Sequence, residues 1–192
     1  MNSGTLTLEA STTGHAYDTT AGNVGVEIKL FDNSRSLVGM FVKASGSFFD
    51  TASMRYTRSW FNEDGVSCHL NSTSPPTITT TSTGTVEIDA AARIFGLMWA
   101  GEFYQQIVYS TLNNTSAVTS TRLACMPNGV ASGETPFWQP SLGGGFNAPG
   151  SCTFGASVSA DAVNYFAMGG NVSAGSGSFS TRINTLQTRR RQ

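Results

Sequence analysis

The side chains able to do chemistry in this 192-residue chain are few and scattered. Two carboxylate pairs lie close in sequence, Glu63 with Asp64 and Glu87 with Asp89. On a strand, Glu87 and Asp89 would share one face, roughly 6–7 Å apart by strand rise. A retaining glycosidase holds its two carboxyls about 5–5.5 Å apart across a sugar. The spacing is nearly permissive, but such acids come from facing strands of an aromatic-lined cleft. His15 and His69 fall in polar stretches far apart, where a lone imidazole is ordinarily solvated. Cys68, Cys125 and Cys152 form no CxxC pair and share no ligand spacing with histidine, which argues against zinc. One disulfide could form among them; buried free thiols are the simpler expectation. No nucleophile elbow, P-loop or HExxH motif occurs. The Gly143-Gly144-Gly145 run has no lysine and no strand–loop–helix setting, so it reads as a loop. Four Asn-X-Ser/Thr matches, at Asn71, Asn113, Asn114 and Asn171, are what chance gives in a chain this rich in Ser, Thr and Asn. The expectation is a protein that is not an enzyme, with no catalytic residue, no metal and no cofactor.

The elements that must position these residues are set by an unusual composition. Apolar residues make up 39% of the chain and aromatics 10%, ample for a packed core. Charged residues make up only 12%, about half the usual share. The surface must therefore be covered by Ser, Thr, Asn, Gln and Gly. Such a surface costs little to desolvate and suits packing against copies of itself or a partner. The net charge of −1 gives the whole chain no electrostatic reason to bind nucleic acid. Lys29 and Lys43 are the sole lysines, and the chain ends on Arg189, Arg190 and Arg191. That tail reads as a basic anchor for an acidic partner surface or as a solvated end. The N-terminal MNSGTLTLEA has neither a basic segment nor an apolar h-region, so no signal peptide is expected. Synthesis in the cytoplasm is expected, with any exit from the cell by other means, including lysis.

The stretch Arg93 to Tyr109, RIFGLMWAGEFYQQIVY, is the densest apolar and aromatic run. It is too short to span a bilayer, and Gly101 and Glu102 end its apolar part. It reads as a central pair of buried strands bent near Gly96 or Gly101. Phe103, Gln105, Ile107 and Tyr109 share one face, and Tyr104, Gln106 and Val108 the other. The alternative is a short amphipathic helix over residues 90–98.

Thr5 to Ala10 reads as a first strand. Val24, Val26, Ile28 and Leu30 alternate as the clearest strand, Asp32-Asn33-Ser34 supplies a turn, and Leu37 to Val42 returns as a hairpin partner. Met54 to Phe61 alternates again, with Met54, Tyr56 and Trp60 against Arg55 and Phe61. Strands are also expected over Val118–Met126, Ser151–Ser159, Tyr165–Val172 and Phe179–Leu186. Ala131 to Gly150 reads as one long irregular loop. Phe48, Phe49, Phe137, Trp138 and Phe146 fall in loops, where aromatics stack on sugars, anchor an interface or plug the ends of a sandwich. Many short strands split by Gly, Asn and Pro turns predict an all-β, jelly-roll-like antiparallel β-sandwich. The expected organisation is a single domain over 1–192, with a Ser/Thr/Pro-rich loop at 71–84 and a basic tail at 187–192.

The segment GTVEIDAAARIFGLMWAGEFYQQIVYSTLNNTSAVTSTRLACMPNG resembles the C-terminal modules of virion surface proteins from tailed bacteriophages. Trp99-Ala100-Gly101-Glu102 stands where Trp-Ala-Asp-Glu is common, so an acid pair is reduced to one. Tyr56 to Asp64, YTRSWFNED, is loosely similar to a Tyr-Asn-Arg-Arg segment found before such modules. The resemblance covers Val86 to Leu186. It implies an oligomeric β-sandwich on a phage particle, with no enzymatic residues to carry over. The expected role is a capsid decoration (cement) protein that bridges capsid subunits and stabilises the head. Its expected partners are itself, as a homotrimer, and the major capsid protein or another virion protein, with no nucleic acid and no membrane. Interface candidates are Phe137, Trp138, Phe146, Arg189, Arg190 and Arg191. The runner-up is a receptor-binding tail fibre or spike tip touching host polysaccharide; a third reading is a carbohydrate-active enzyme using Glu87 and Asp89.

Overall fold

The computed structural model describes residues 9–61, 65–72, 77–114, 120–136 and 147–189. The chain sorts into two compact units, Met1–Gly39 with Ser59–Phe61, and Met40–Arg58 with Asn62–Gln192.

The first unit holds three antiparallel strands in the order β1 (His15–Tyr17), β2 (Glu27–Lys29) and β3 (Asp32–Ser36). The alternation from Val24 to Leu30 predicts a longer strand than forms. Thr20 N donates to Asp18 Oδ1 at 2.8 Å and Asn23 N to Thr20 O at 2.9 Å, so the chain turns repeatedly before β2. Gly25, at φ 87°, completes that loop. Val24 and Val26 are consequently exposed, and Ile28 is the buried apolar side chain among the described residues of this unit. A hairpin forms, but its turn is Leu30-Phe31 and its return strand is Asp32–Ser36; the expected partner, Leu37 to Val42, instead holds the strand Gly39–Phe41, which pairs with Thr57–Ser59. Asp32 to Ser34, expected as the turn, begins the return strand, with Lys29 paired to Asp32. Most of the first expected strand, Thr5 to Ala10, lies outside the described residues.

In chain order the remaining strands are β4 (Gly39–Phe41), β5 (Lys43–Ala44), β6 (Ser47–Phe48), β7 (Met54–Arg55), β8 (Thr57–Ser59), β9 (Ser67–Ser72), β10 (Ile78–Thr80) and β11 (Val86–Glu87). A 3-10 turn over Ala90–Ala92 precedes β12 (Ile94–Met98), β13 (Phe103–Asn114), β14 (Thr121–Pro127), β15 (Ser132–Pro136), β16 (Asn147–Ser157), β17 (Ala162–Val172) and β18 (Gly177–Arg189).

Two large sheets make the body of the second unit, beside the two-stranded pairs β4–β8 and β5–β6. One runs β10–β18–β13–β16, with β9 also on β18; the other runs β15–β14–β17–β12–β7, with β11 on β17. The strands pair antiparallel, except that β7 lies parallel to β12. From β12 onward the chain crosses between sheets at nearly every connection. Only β14 and β15 are consecutive within one sheet. The result is the expected all-β, jelly-roll-like antiparallel sandwich.

The core forms where the inner faces meet. One cluster joins Val108, Leu112, Cys152 and Phe179 of the first sheet to Leu123, Cys125 and Met168 of the second. Another joins Cys68, Tyr104 and Leu186 to Ile94, Met98 and Phe166. Such inward-facing alternation on both sheets is what burial of apolar area rewards in a sandwich.

The stretch Arg93 to Tyr109 divides between the sheets. β12 lies in one and β13 in the other, so these sequence neighbours face each other across the core. The bend falls at Gly101, at φ 78°, a conformation glycine adopts without steric cost. Gly96 stays inside β12, opposite Asn164. Residues 94–98 are strand, which replaces the helix alternative; helical geometry is confined there to Ala90–Ala92. On β13 the inward face is that of Tyr104, Gln106 and Val108, all buried. Gln106 donates to Ala167 O at 2.8 Å and to Asn184 Oδ1 at 3.1 Å, and Asn184 donates to the carbonyls of Ala92 and Phe166. This buried amide pair ties the two sheets at their centre.

Two segments expected as irregular contain strands. Within 71–84, Ile78–Thr80 pairs with the start of β18, and within 131–150, β15 and the first residues of β16 form. At the other end β18 runs on to Arg189, opposite Phe103.

Candidate functional site

Of the expected interface residues, Phe137, Trp138, Phe146, Arg190 and Arg191 lie outside the described residues. Arg189 is exposed at the end of β18 and sits in register with Phe103, itself 46% exposed.

The carboxylates with enzymatic spacing belong to different elements. Glu87 ends β11, and Asp89 lies beyond it as the cap of the 3-10 turn, accepting from Ala91 N at 2.9 Å. Each is held by its own arginine. Arg93 clasps Glu87 through two bonds of 2.7 and 2.6 Å, and its guanidinium lies 5.0 Å from the Tyr165 ring centroid. Arg182 meets Asp89 at 2.6 Å with its own side chain buried. The bonds to Glu87 raise the Arg93 pKa above its ordinary value.

Glu102, the single acid of the Trp99-Ala100-Gly101-Glu102 motif, is buried rather than displayed. Arg58 reaches it in a fork, Nη1 to Oε2 at 3.0 Å and Nη2 to Oε1 at 2.9 Å, and both side chains are fully buried. Trp99 N donates to Glu102 Oε2 at 2.9 Å, Thr188 Oγ1 donates to Oε1, and Arg58 Nη1 also donates to Leu97 O at 2.8 Å. The motif is a structural clamp that fixes the turn between the sheets. Sequence reading missed Arg58; its even-numbered place beside Tyr56 on the inward face of Met54 to Phe61 was the available signal.

Pairing of this kind extends over the second unit. Ion pairs join Arg58 to Glu102, Arg182 to Asp89, Arg93 to Glu87, Arg55 to Asp50 and Arg122 to Glu134. Asp161 accepts from Ala100 N at 2.7 Å. Lys43 and Arg189 are the other described charged residues there, and both are exposed. Few charges are left for a partner to desolvate.

His15, expected as a solvated loop residue, lies in β1 and meets the buried Glu27 through Nδ1. His69 lies in β9 and is exposed. Among the described residues no cluster of three or more His, Cys, Asp or Glu is placed to hold a metal ion, and no helix is long and apolar enough to cross a membrane. A shallow depression of about 210 Å³ is lined by Asn128, Asn164, Ser157 and Ser159 above Tyr104 and Phe166. It offers hydrogen bonds but no carboxylate, imidazole or basic side chain.

The three cysteines are free and buried. Cys125 Sγ donates to Cys152 O at 3.4 Å; its hydrogen bond with the Cys152 side chain, then burial, raise its pKa. Burial pushes the Cys68 thiol up to about 11 from an ordinary 9.0. The folded protein therefore keeps the Cys68 proton in a window, from pH 9 to about 11, where the unfolded chain has lost it. The stability gained is complete below pH 9 and falls as pH rises through that window. Urea titrations between pH 8 and 11 are expected to show Cys68→Ala losing less stability with pH than wild type. An unchanged slope would exclude this linkage.

Large apolar side chains are nonetheless exposed. In the first unit Phe31 is 95% exposed and Val24 76%, with Tyr17, Val26, Val38 and Phe61 also open. In the second, Phe41 and Phe48 are exposed and pack edge to face at 5.3 Å. Phe48 was expected as a possible plug; it faces solvent, whereas Phe49 is half-buried against Tyr56.

No known protein family matches this sequence, and no curated protein matches it. Among solved structures, the chain is similar to Eiger TNF from S. frugiperda at 12% identity and TM-score 0.37, over 68% of this chain and 95% of that one. It is similar to the infectious bursal disease virus VP2 subviral particle at 7% identity and TM-score 0.42, over 91% of this chain and 46% of that one. A structure of infectious bursal disease virus Gx strain matches at 8% identity and TM-score 0.39, over 79% of this chain and 43% of that one. This chain thus spans less than half the length of the two viral chains.

Proposed function

We propose that the protein is a structural component of a tailed-phage virion, a capsid decoration protein that bridges neighbouring capsid subunits and stabilises the head. The observation that carries this reading is a sandwich whose charges are closed into internal pairs while large apolar side chains remain open. A neutral polar surface sheds its water cheaply, and exposed aromatics supply the anchors that such interfaces use. The resemblance of Val86 to Leu186 to phage virion surface modules points the same way. No catalytic activity is part of the proposal, since Glu87 and Asp89 are each engaged by an arginine.

Counting copies per particle tests it. Hundreds of copies on the head are expected, and removal of the gene should leave adsorption intact but heads fragile under chelation or heat. The second reading, a receptor-binding fibre or spike tip, draws on the exposed Phe41–Phe48 pair, since aromatic faces stack on sugars. A few copies at the tail, with adsorption lost and heads sturdy on deletion, would replace the first reading by the second.

A further inference from the structure

Two of the three buried thiols meet across the sandwich. Cys125 lies on β14 and Cys152 on β16, strands of the two facing sheets, and both side chains enter the same core cluster. Cys125 Sγ lies 3.4 Å from Cys152 O and 3.6 Å from Gln106 O, and the two thiols are hydrogen-bonded to each other. Cys68 belongs to the other cluster, with Ile94 and Phe166.

The backbone around the pair brings the strands this close. The β14–β15 register slips between Ala124 and Cys125, so Cys125 pairs with Ser132 while Ala124 pairs with Glu134. Gly133 is the extra residue of that bulge, at φ 61°. Its carbonyl accepts from Cys152 Sγ, and a Cβ at 133 would come within 3.2 Å of Thr153 O and 3.3 Å of Phe154 Cβ. Glycine there lets β15 close over Cys152. Cys125 has no exposure and Cys152 only 2%. β15 is the end strand of its sheet, so Cys152 is the sulfur that local fraying uncovers first. A buried cysteine can serve as a small apolar side chain, but alanine or valine would pack equally well. A hydrogen-bonded pair of thiols adds chemistry that those residues lack. The raised pKa of Cys125 keeps its thiolate scarce, so the pair stays reduced until an oxidant reaches it.

We propose that Cys125 and Cys152 form an oxidisable pair, closing into a disulfide that staples the two sheets when a hydroperoxide reaches them. The Cys152 thiolate attacks one peroxide oxygen. The O–O bond breaks, and the departing hydroxide takes a proton and leaves as water, with a sulfenic acid left on Cys152. Cys125 Sγ gives up its proton and attacks the sulfenic sulfur. The S–S bond forms, the S–O bond breaks, and the second hydroxide leaves as water. The two thiols lose two electrons, and hydrogen peroxide is reduced to two waters. The bond fastens β16, the end strand of its own sheet, to β14 of the other. In a particle protein the staple would set after release from a reducing cell. Only that purpose rests on the virion reading.

Hydrogen peroxide on the full-length protein tests it, read by peptide mass mapping without reduction. A Cys125–Cys152 cross-link lighter by two hydrogens is expected, with Cys68 still free and dithiothreitol reversing the bond. Cross-linked protein should unfold about 6–12 °C higher than reduced, since the bond limits the unfolded chain over the enclosed loop. Cys152→Ala should abolish that shift and Cys68→Ala should keep it. Mapping of the wild type decides the pairing even where a cysteine variant folds poorly. Retention of all three free thiols, a cross-link through Cys68, Cys152 carried to sulfinic acid beside a reduced Cys125, or a cross-link that forms only in urea would each overturn the proposal. So would a cross-linked protein no more stable than the reduced one. Copy number per particle reports on the virion reading alone, so the two can fail separately.

Discussion

Replacing Glu102 by alanine is expected to lower the unfolding free energy by about 3–5 kcal/mol, the cost of leaving a buried charge without its partner. Arg58 would keep Leu97 O but lose both carboxylate oxygens, and Trp99 N and the Thr188 hydroxyl would lose their acceptor. These groups come from β8, the β12–β13 turn and the end of β18, so one deletion loosens three places at once. Against the ~5–15 kcal/mol stability of an ordinary domain, that loss is a large fraction. Arg58→Leu alone should cost a similar amount. The double change Arg58→Leu with Glu102→Leu should recover much of the loss, because two apolar side chains leave no uncompensated charge. Equilibrium unfolding in guanidinium chloride measures all three. A Glu102→Ala protein within about 1 kcal/mol of wild type would mean that water enters the site and that the clamp carries little energy.

Phe179→Ala is the second large effect, expected to cost about 3–5 kcal/mol. Phe179 is fully buried among Val108, Leu112, Leu123 and Met168, and its ring lies over Gly170 of the facing sheet. A Cβ on residue 170 would come within 2.3 Å of Phe179 Cζ and 2.9 Å of Ile88 Cγ2. Gly170→Ala is therefore also destabilising, by about 1–3 kcal/mol through overpacking. The two sites share one volume. Once the ring is gone, the methyl at 170 has room, so the double variant should lose less than the sum of the singles. Strict additivity in the same unfolding measurement would contradict the packing of Phe179 on Gly170.

The strands that carry the core were legible in the sequence because alternation is local. Cys152, Phe154 and Ala156 in β16, and the run from Phe179 to Leu186 in β18, announce a strand with one apolar face before any partner is known. The turn at Gly101 was legible too, since glycine is the residue that reaches φ 78° without strain. Val24 to Leu30 shows the limit of the same signal. Its pattern fits a strand perfectly, yet the loop chemistry of Asp18 to Gly25 takes the first half, and Val24 and Val26 end in solvent. Periodicity states that a face is apolar; it does not state what covers it.

By itself, the sequence determined the class of the fold and the scarcity of charge. Both follow from composition and from spacings of a few residues. Tertiary structure alone decided which sheet each strand joins, that Arg58 is buried, and that Glu87 and Asp89 answer to separate arginines. The buried fate of Arg58 depends on Glu102, 44 residues along the chain, and that of Arg182 on Asp89. A charge can leave water only where its counter-charge already waits, and chain folding, not residue order, brings the two together.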